Sequence, residues 1–156
     1  ATPDEIEQIY TEKSAYFHQL GETYPIPNVA DVLQYVKSRG HQIWVVTGSG
    51  QRTLLDSLHA VFPHIVQRDR MITAFDVTHG KPDPEPYLKA WERSGLPKEK
   101  CFVIENAPLG IRSGKAAGLT VYAVNTGILT RGDLIDAGAD EVFNSMKELL
   151  VFLQVQ

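Results

Sequence analysis

The chain has 156 residues, 43% of them hydrophobic and 22% charged, which suits one globular domain with a real core. The formal net charge is −4 and Lys and Arg form no run, so neither a nucleic-acid nor a membrane partner is expected, since both need a clustered basic face. The single cysteine, Cys101, excludes an internal disulfide framework, and the opening residues lack the basic and apolar regions of a signal peptide, so the expected location is cytoplasmic.

In chain order, residues 4–20 have the periodicity of an amphipathic helix, with Thr2 or Asp4 as its cap and Ile6, Ile9, Tyr10, Ala15, Phe17 and Leu20 on one broad apolar face. Gly21 ends it. The stretch Tyr24-Pro-Ile-Pro-Asn28 is stiff and extended, because each proline pushes its predecessor away from helix. A regular alternation follows. Residues 29–38 read as helix stopped by Gly40, 43–46 as a continuous apolar strand, 51–60 as helix, 71–75 as strand and 84–94 as helix with proline in its first turn. Residues 102–104 read as strand, 110–117 as helix closed by Gly118, 121–124 as strand, 141–143 as a short edge strand and 145–154 as a final helix. Such alternation predicts an α/β fold, a Rossmann-like, doubly wound parallel sheet with helices on both faces.

In sheets of this kind ligands bind beyond the carboxyl ends of the strands, and three marked segments fall there. Thr47-Gly48-Ser49-Gly50 places a hydroxyl, free N–H groups and a helix start together, which suits an anion; a plain turn with Ser49 as N-cap has the same composition. Lys81 precedes Pro82-Asp-Pro-Glu-Pro86, where three prolines in five residues leave little freedom and fix one ammonium in place. Beside a phosphate such a charge-assisted bond contributes about 1.5–3 kcal/mol, although most lysines are simply solvated. Glu105-Asn106 ends a strand with a carboxylate and an amide oxygen, which suits Mg²⁺; Asn106 is equally suited to cap the helix ahead of Pro108. The five histidines show no metal-ligand spacing, and Cys101 at the head of an apolar run reads as a buried structural thiol.

Together, Thr47 after a strand, Lys81 in Gly-Lys-Pro-Asp-Pro, and Val-Ile-Glu-Asn-Ala-Pro-Leu-Gly-Ile-Arg-Ser-Gly-Lys-Ala-Ala-Gly (103–118) resemble three of the four motifs of the haloacid dehalogenase superfamily. The wording is similar to its β-phosphoglucomutase-like branch, over roughly residues 22–150. The resemblance implies a Mg²⁺-dependent phosphatase or phosphomutase for a small phosphorylated metabolite of the sugar-phosphate kind. Thr47, with the N–H groups of Gly48 and Ser49, would bind a phosphoryl oxygen. Lys81 would neutralise charge on the nucleophile and the transferred group, and Glu105 and Asn106 would serve the metal. Many relatives have a second carboxylate where this chain has Asn106, which implies weaker Mg²⁺ binding here.

The superfamily's nucleophile, the first Asp of an Asp-x-Asp, has no counterpart, because the sequence contains no Asp-x-Asp. In the family that strand lies between those at 43–46 and 102–104. The resemblance therefore implies a fragment: residues 1–21 as the remnant of a helical cap and 22–156 as a core lacking its first strand, inactive alone and prone to self-association. Two other readings keep the same residues: a non-catalytic phospho-ligand or protein-binding domain, and a two-chain assembly in which another polypeptide supplies the strand.

Overall fold

The structure, a computed structural model, describes residues 2, 4, 5, 7–9, 11, 12, 15 and 24–156. Within 4–20 the described positions up to residue 15 are helical, and Thr2 caps them: its hydroxyl accepts from Glu5 N at 3.3 Å while Glu5 returns a carboxylate to Thr2 N at 2.7 Å. The remainder of that helix, most of its expected apolar face and the domain boundary at residue 21 lie outside the described residues.

From residue 29 the alternation is continuous. It runs α1 (Val29–Ser38), β1 (Val45–Val46), α2 (Arg52–Val61), β2 (Met71–Ile72), α3 (Glu85–Ser94), β3 (Phe102–Glu105), α4 (Pro108–Ala116), β4 (Thr120–Val124), α5 (Arg131–Asp136), β5 (Glu141–Phe143) and α6 (Met146–Gln154). Gly40 and Gly118 take φ of +81° and +75°, the left-handed conformation that lets the chain leave α1 and α4. Helix α5 was not expected from periodicity; Thr130 and Asp133 form a reciprocal capping box that starts it. Two strands are shorter than the apolar runs suggested. Only Val45–Val46 of 43–46 pairs, and only Met71–Ile72 of 71–75, because Asp76 accepts from both the N–H and the hydroxyl of Thr73 and turns the chain there.

Among the described residues all strand pairs are parallel. The period-two alternation of β4 divides its residues between two cores. Val121 and Ala123 join Tyr87, Val103, Ile111, Leu134 and Val142 under α3, α4 and α5. Val124 joins Val32, Phe143, Met146 and Leu149 beneath α1 and α6, with Tyr122 and Ile104 packed alongside. The Tyr35 hydroxyl donates to Leu153 O at 3.1 Å and ties those two helices together. This is a Rossmann-like α/β core wound on both faces.

Among the described residues the strands form two sheets rather than one: β1–β2 and β3–β4–β5. Between the free edges of β1 and β3 runs a cleft of about 1410 Å³, with Val45 and Val46 on one side and Val103, Ile104 and Glu105 on the other. The interruption falls where the resemblance places an additional strand. It also explains why β1 is only half-buried although its sequence is that of a strand covered on both faces.

The buried positions set the stability of the frame. Ile111 and Leu149 are both fully buried, and truncating either to Ala is expected to cost about 2–5 kcal/mol in urea denaturation. Val151 is 55% exposed on α6, and the same change there is expected to stay within about 0.5 kcal/mol.

Candidate functional site

The loop after β1 is organised by hydroxyls. Thr47 N donates to Ile72 O at 2.9 Å, prolonging the pairing of β1 with β2 by one bond. Its Oγ1 accepts from Ser49 N at 3.1 Å, and Ser49 Oγ accepts from Gln51 N at 3.2 Å. Gln51, not Ser49, is the N-cap residue of α2, so the capping expected of Ser49 is displaced by two residues. Gly50 lies under the Phe75 ring, where a Cβ would come within 2.7 Å of a ring carbon. A side chain at this position would collide with that ring.

Lys81 is positioned by a second loop with its own anchors. Asp83 N donates to Gly80 O at 3.0 Å, and the buried Ser113 of α4 donates its hydroxyl to Asp83 O at 2.6 Å. Glu85, at the start of α3, accepts from Thr78 N at 2.9 Å and His79 N at 2.7 Å. Those two backbone bonds come first among the causes that hold its carboxyl down at about 2. The stiffness read from the prolines is thus reinforced by hydrogen bonds at both ends of the loop. The two loops meet in a pocket of about 130 Å³ lined by Thr47, Gly48, Thr78, Gly80 and Lys81.

The Lys81 ammonium donates to Val46 O at 3.1 Å, to Tyr87 Oη at 3.2 Å and to Glu105 Oε1 at 2.5 Å. Tyr87 donates its own hydroxyl to Glu105 Oε1 at 2.7 Å. The other carboxylate oxygen, Oε2, accepts from the N–H groups of Asn106 at 3.0 Å and Ala107 at 3.3 Å, where α4 begins. Burial alone would raise the Glu105 carboxyl. The charge and bond of Lys81, with the bonds from Tyr87 and Asn106, outweigh it and hold the group below the usual carboxylate range. Room for that carboxylate exists because residue 110 is glycine; a Cβ there would come within 2.0 Å of Glu105 Oε1.

Asn106 does not cap α4. Ala107 occupies the N-cap position, and Asn106 Nδ2 instead donates to Thr126 Oγ1 at 2.9 Å, linking the loops that follow β3 and β4. Cys101 is half-buried, against the full burial expected of it; burial raises its thiol, and it donates to Pro97 O at 3.4 Å, at the opposite end of β3 from Glu105. Thr47, Gly48, Lys81 and Glu105 are therefore gathered around the mouth of the cleft, with Ser49 buried behind Thr47 and Asn106 on the rim. Tyr87, Ser113, Gly110 and Thr126 support them. Periodicity marks Tyr87 only as a core position of α3, since nothing in a helical face distinguishes a hydroxyl that reaches a buried ion pair.

Among the described residues no three His, Cys, Asp or Glu side chains lie close enough to hold a metal ion. Mg²⁺ asks less than that: one or two protein oxygens, the rest being water and phosphate oxygens. The Glu105 carboxylate and the Asn106 amide oxygen fit that demand in donor type.

A family profile for haloacid dehalogenase-like hydrolases matches residues 2–124. The chain belongs to that family. A phosphorylated carbohydrates phosphatase of Thermotoga maritima is 31% identical over 150 residues, covering 92% of this chain and 68% of the relative. A glycerol-1-phosphate phosphohydrolase of Saccharomyces cerevisiae is 36% identical over 110 residues, covering 65% of this chain and 43% of the relative. A solved structure from Bacteroides vulgatus, provisionally named a β-phosphoglucomutase, superposes with a TM-score of 0.88 at 44% identity, covering 99% of this chain and 62% of that one. These matches place the chain in the β-phosphoglucomutase-like branch of the haloacid dehalogenase superfamily, and it spans between about two-fifths and two-thirds of their lengths.

Removing Lys81 would leave Glu105, whose side chain is 9% exposed, buried without its cation. Lys81→Met is therefore expected to cost about 3–5 kcal/mol at pH 7 in urea denaturation. The pH dependence has a definite sign. With its folded pKa depressed, Glu105 stabilises the native chain above the unfolded carboxylate value and loses that contribution as pH falls through the folded one. In Lys81→Met the orphaned carboxylate gains from protonation, so the stability gap between variant and wild type is expected to narrow between pH 7 and pH 4.

Proposed function

We propose that these residues are most of the site of a phosphatase or phosphomutase acting on a small phosphorylated metabolite of the sugar-phosphate class. The observation that carries this reading is the convergence of Thr47, Lys81 and Glu105 at the carboxyl ends of β1 and β3, with one ammonium bonded to both halves of the divided sheet. Hydrolysis is favoured over mutation, in keeping with the named activities of the Thermotoga and yeast relatives.

In this reading Thr47 Oγ1 and the N–H groups of Gly48 and Ser49 hold a phosphoryl oxygen, Ser49 N turning from Thr47 to the ligand. Lys81 offsets charge as an aspartate oxygen bonds to phosphorus and the phosphorus–ester bond breaks, the ester oxygen leaving as the alcohol with a proton from the second Asp of the Asp-x-Asp. Water, its proton taken by that same Asp, then attacks phosphorus, breaks the aspartyl–phosphorus bond and releases phosphate. That Asp-x-Asp is absent from this sequence. In this reading the strand that bears it would occupy the cleft between β1 and β3, parallel to both, with its carboxyl end beside Lys81. Residues 1–21 are then a piece of the cap and 22–156 the remaining core, in a cytoplasmic protein. Among the described residues no helix is long and apolar enough to cross a membrane. Mg²⁺, when bound by Glu105 and Asn106, would neutralise phosphoryl charge. The neutral Asn106 leaves that site one negative charge short of a two-carboxylate version, so Asn106→Asp is expected to tighten Mg²⁺ in calorimetric titration.

A second reading, a phospho-ligand binding domain without turnover, is favoured by the missing Asp-x-Asp. The two separate in one assay. The chain alone is expected to release no phosphate from a panel of sugar phosphates with Mg²⁺. The chain supplied with an apolar strand ending in Asp-x-Asp, as a peptide or as an N-terminal extension, is expected to do so. Lys81→Met should lower that restored rate by about 10²–10³-fold, the scale of losing one charge-stabilising donor. Phosphate binding with no turnover in either form would decide for the binding domain. The open strand edges also predict self-association of the bare chain, seen as a sedimentation coefficient that rises with concentration and stops rising when the strand is supplied.

A further inference from the structure

Lys81 Nζ, Tyr87 Oη and Glu105 Oε1 form a closed triangle with sides of 3.2, 2.7 and 2.5 Å. An ammonium has three N–H donors, and the bonds to Val46 O, Tyr87 and Glu105 spend all of them. Lys81 also lines the pocket that contains Thr47 and Gly48. A phosphoryl oxygen arriving there meets the charge of Lys81 but no free N–H, so one internal bond has to be released.

The three bonds are not equally replaceable. The bond to Glu105 joins opposite charges over 2.5 Å, between side chains 19% and 9% exposed, and its loss would leave a buried carboxylate without its cation. In the chain without an added strand, the bond to Val46 O satisfies a backbone carbonyl at the edge of the cleft, and its loss leaves that acceptor unpaired. The bond to Tyr87 is the longest of the three, and its acceptor is neutral. When it is released, Tyr87 still donates to Glu105 and its hydroxyl stays satisfied. The ammonium also lies 4.9 Å from the centroid of the Tyr87 ring, so it can pivot toward the pocket while keeping its contact with the aromatic face. Tyr87 is 6% exposed, and burial, followed by the charge of Glu105, pushes its hydroxyl far above the usual range, so it remains a donor to Glu105 at any working pH.

We propose that Tyr87 is a positioning residue of this site: its hydroxyl holds the third N–H of Lys81 in reserve, keeps Glu105 in place, and yields that N–H to a phosphoryl oxygen of the ligand. The inference rests on the phosphoryl-site reading above.

The test uses the full chain with ¹⁵N-labelled lysine and ¹³Cζ-labelled tyrosine, inorganic phosphate as the probe, and NMR as the readout. The Lys81 ammonium signal is assigned by its loss in Lys81→Arg. Without phosphate, Tyr87→Phe, which keeps the ring and its packing, is expected to speed proton exchange at the Lys81 ammonium and shift its signal; an unchanged signal overturns the proposal. With phosphate, the Lys81 and Tyr87 signals of the wild type are expected to move together with one affinity. That wild-type measurement keeps the question decidable if the variant folds poorly, and a Tyr87 signal that stays put while Lys81 responds overturns the proposal. Tyr87→Phe is expected to bind phosphate roughly two- to tenfold more tightly, the equivalent of one neutral hydrogen bond no longer competing. Equal or weaker affinity overturns the exchange. A Lys81 signal indifferent to phosphate in both proteins overturns the phosphoryl-site reading itself and the exchange with it, whereas equal responses in both overturn the exchange alone.

Discussion

The ammonium of Lys81 joins two sheets that share no hydrogen-bonded strand pair. Its bond to Val46 O reaches the end of β1, and its bond to Glu105 reaches the end of β3, across the mouth of the cleft. Much of the surrounding architecture makes this bridge feasible. Gly110 leaves space for the carboxylate, the first N–H groups before α4 hold its second oxygen, and Ser113 fastens the loop that carries the lysine. A buried ion pair contributes little net stability by itself, because desolvation offsets most of the attraction. Its value here is positional: it sets where a positive charge stands relative to the loop after β1.

The same bridge joins fold and chemistry. Phosphoryl transfer asks a protein mainly for alignment and charge, and both come from groups whose positions are fixed before a ligand arrives. The hydroxyl relay from Thr47 through Ser49 to Gln51 fixes one wall of the pocket. The Glu85 carboxylate, bonded to two backbone N–H groups, fixes the opposite wall. Lys81 stands between them with its hydrogen bonds already satisfied inside the protein. On the proposed reading, a ligand would be held by exchanging bonds rather than by adding them, which would moderate affinity and suit release of product.

The divided sheet accounts for the unusual features of the core. β4, flanked on both sides, sends alternate residues into two well-filled cores and carries the fully buried Val121, Ala123 and Val124. β1 has a similar apolar sequence yet is half-buried, since one of its edges faces the cleft.

Periodicity and punctuation were enough to place β3, β4, β5, α1, α3 and α6 to within a residue or two, because their apolar spacing and their glycine and proline stops are local properties of the chain. Motif order likewise brought Thr47, Lys81 and Glu105 to the same end of the sheet. Strand length was not legible at 43–46 or 71–75, since pairing ends where a partner ends or where Asp76 captures Thr73, and neither is written in hydropathy. Helix α5 was missed because six residues give too short a period, although Thr130 and Asp133 carried its signal. The contacts of Asn106 and Tyr87 are visible only in three dimensions. One reaches Thr126 twenty positions away, and the other reaches Glu105 eighteen positions away. A sequence states which groups a chain possesses and how each segment prefers to fold. Which donor meets which acceptor across a buried gap depends on packing between distant segments, and that belongs to the tertiary structure alone.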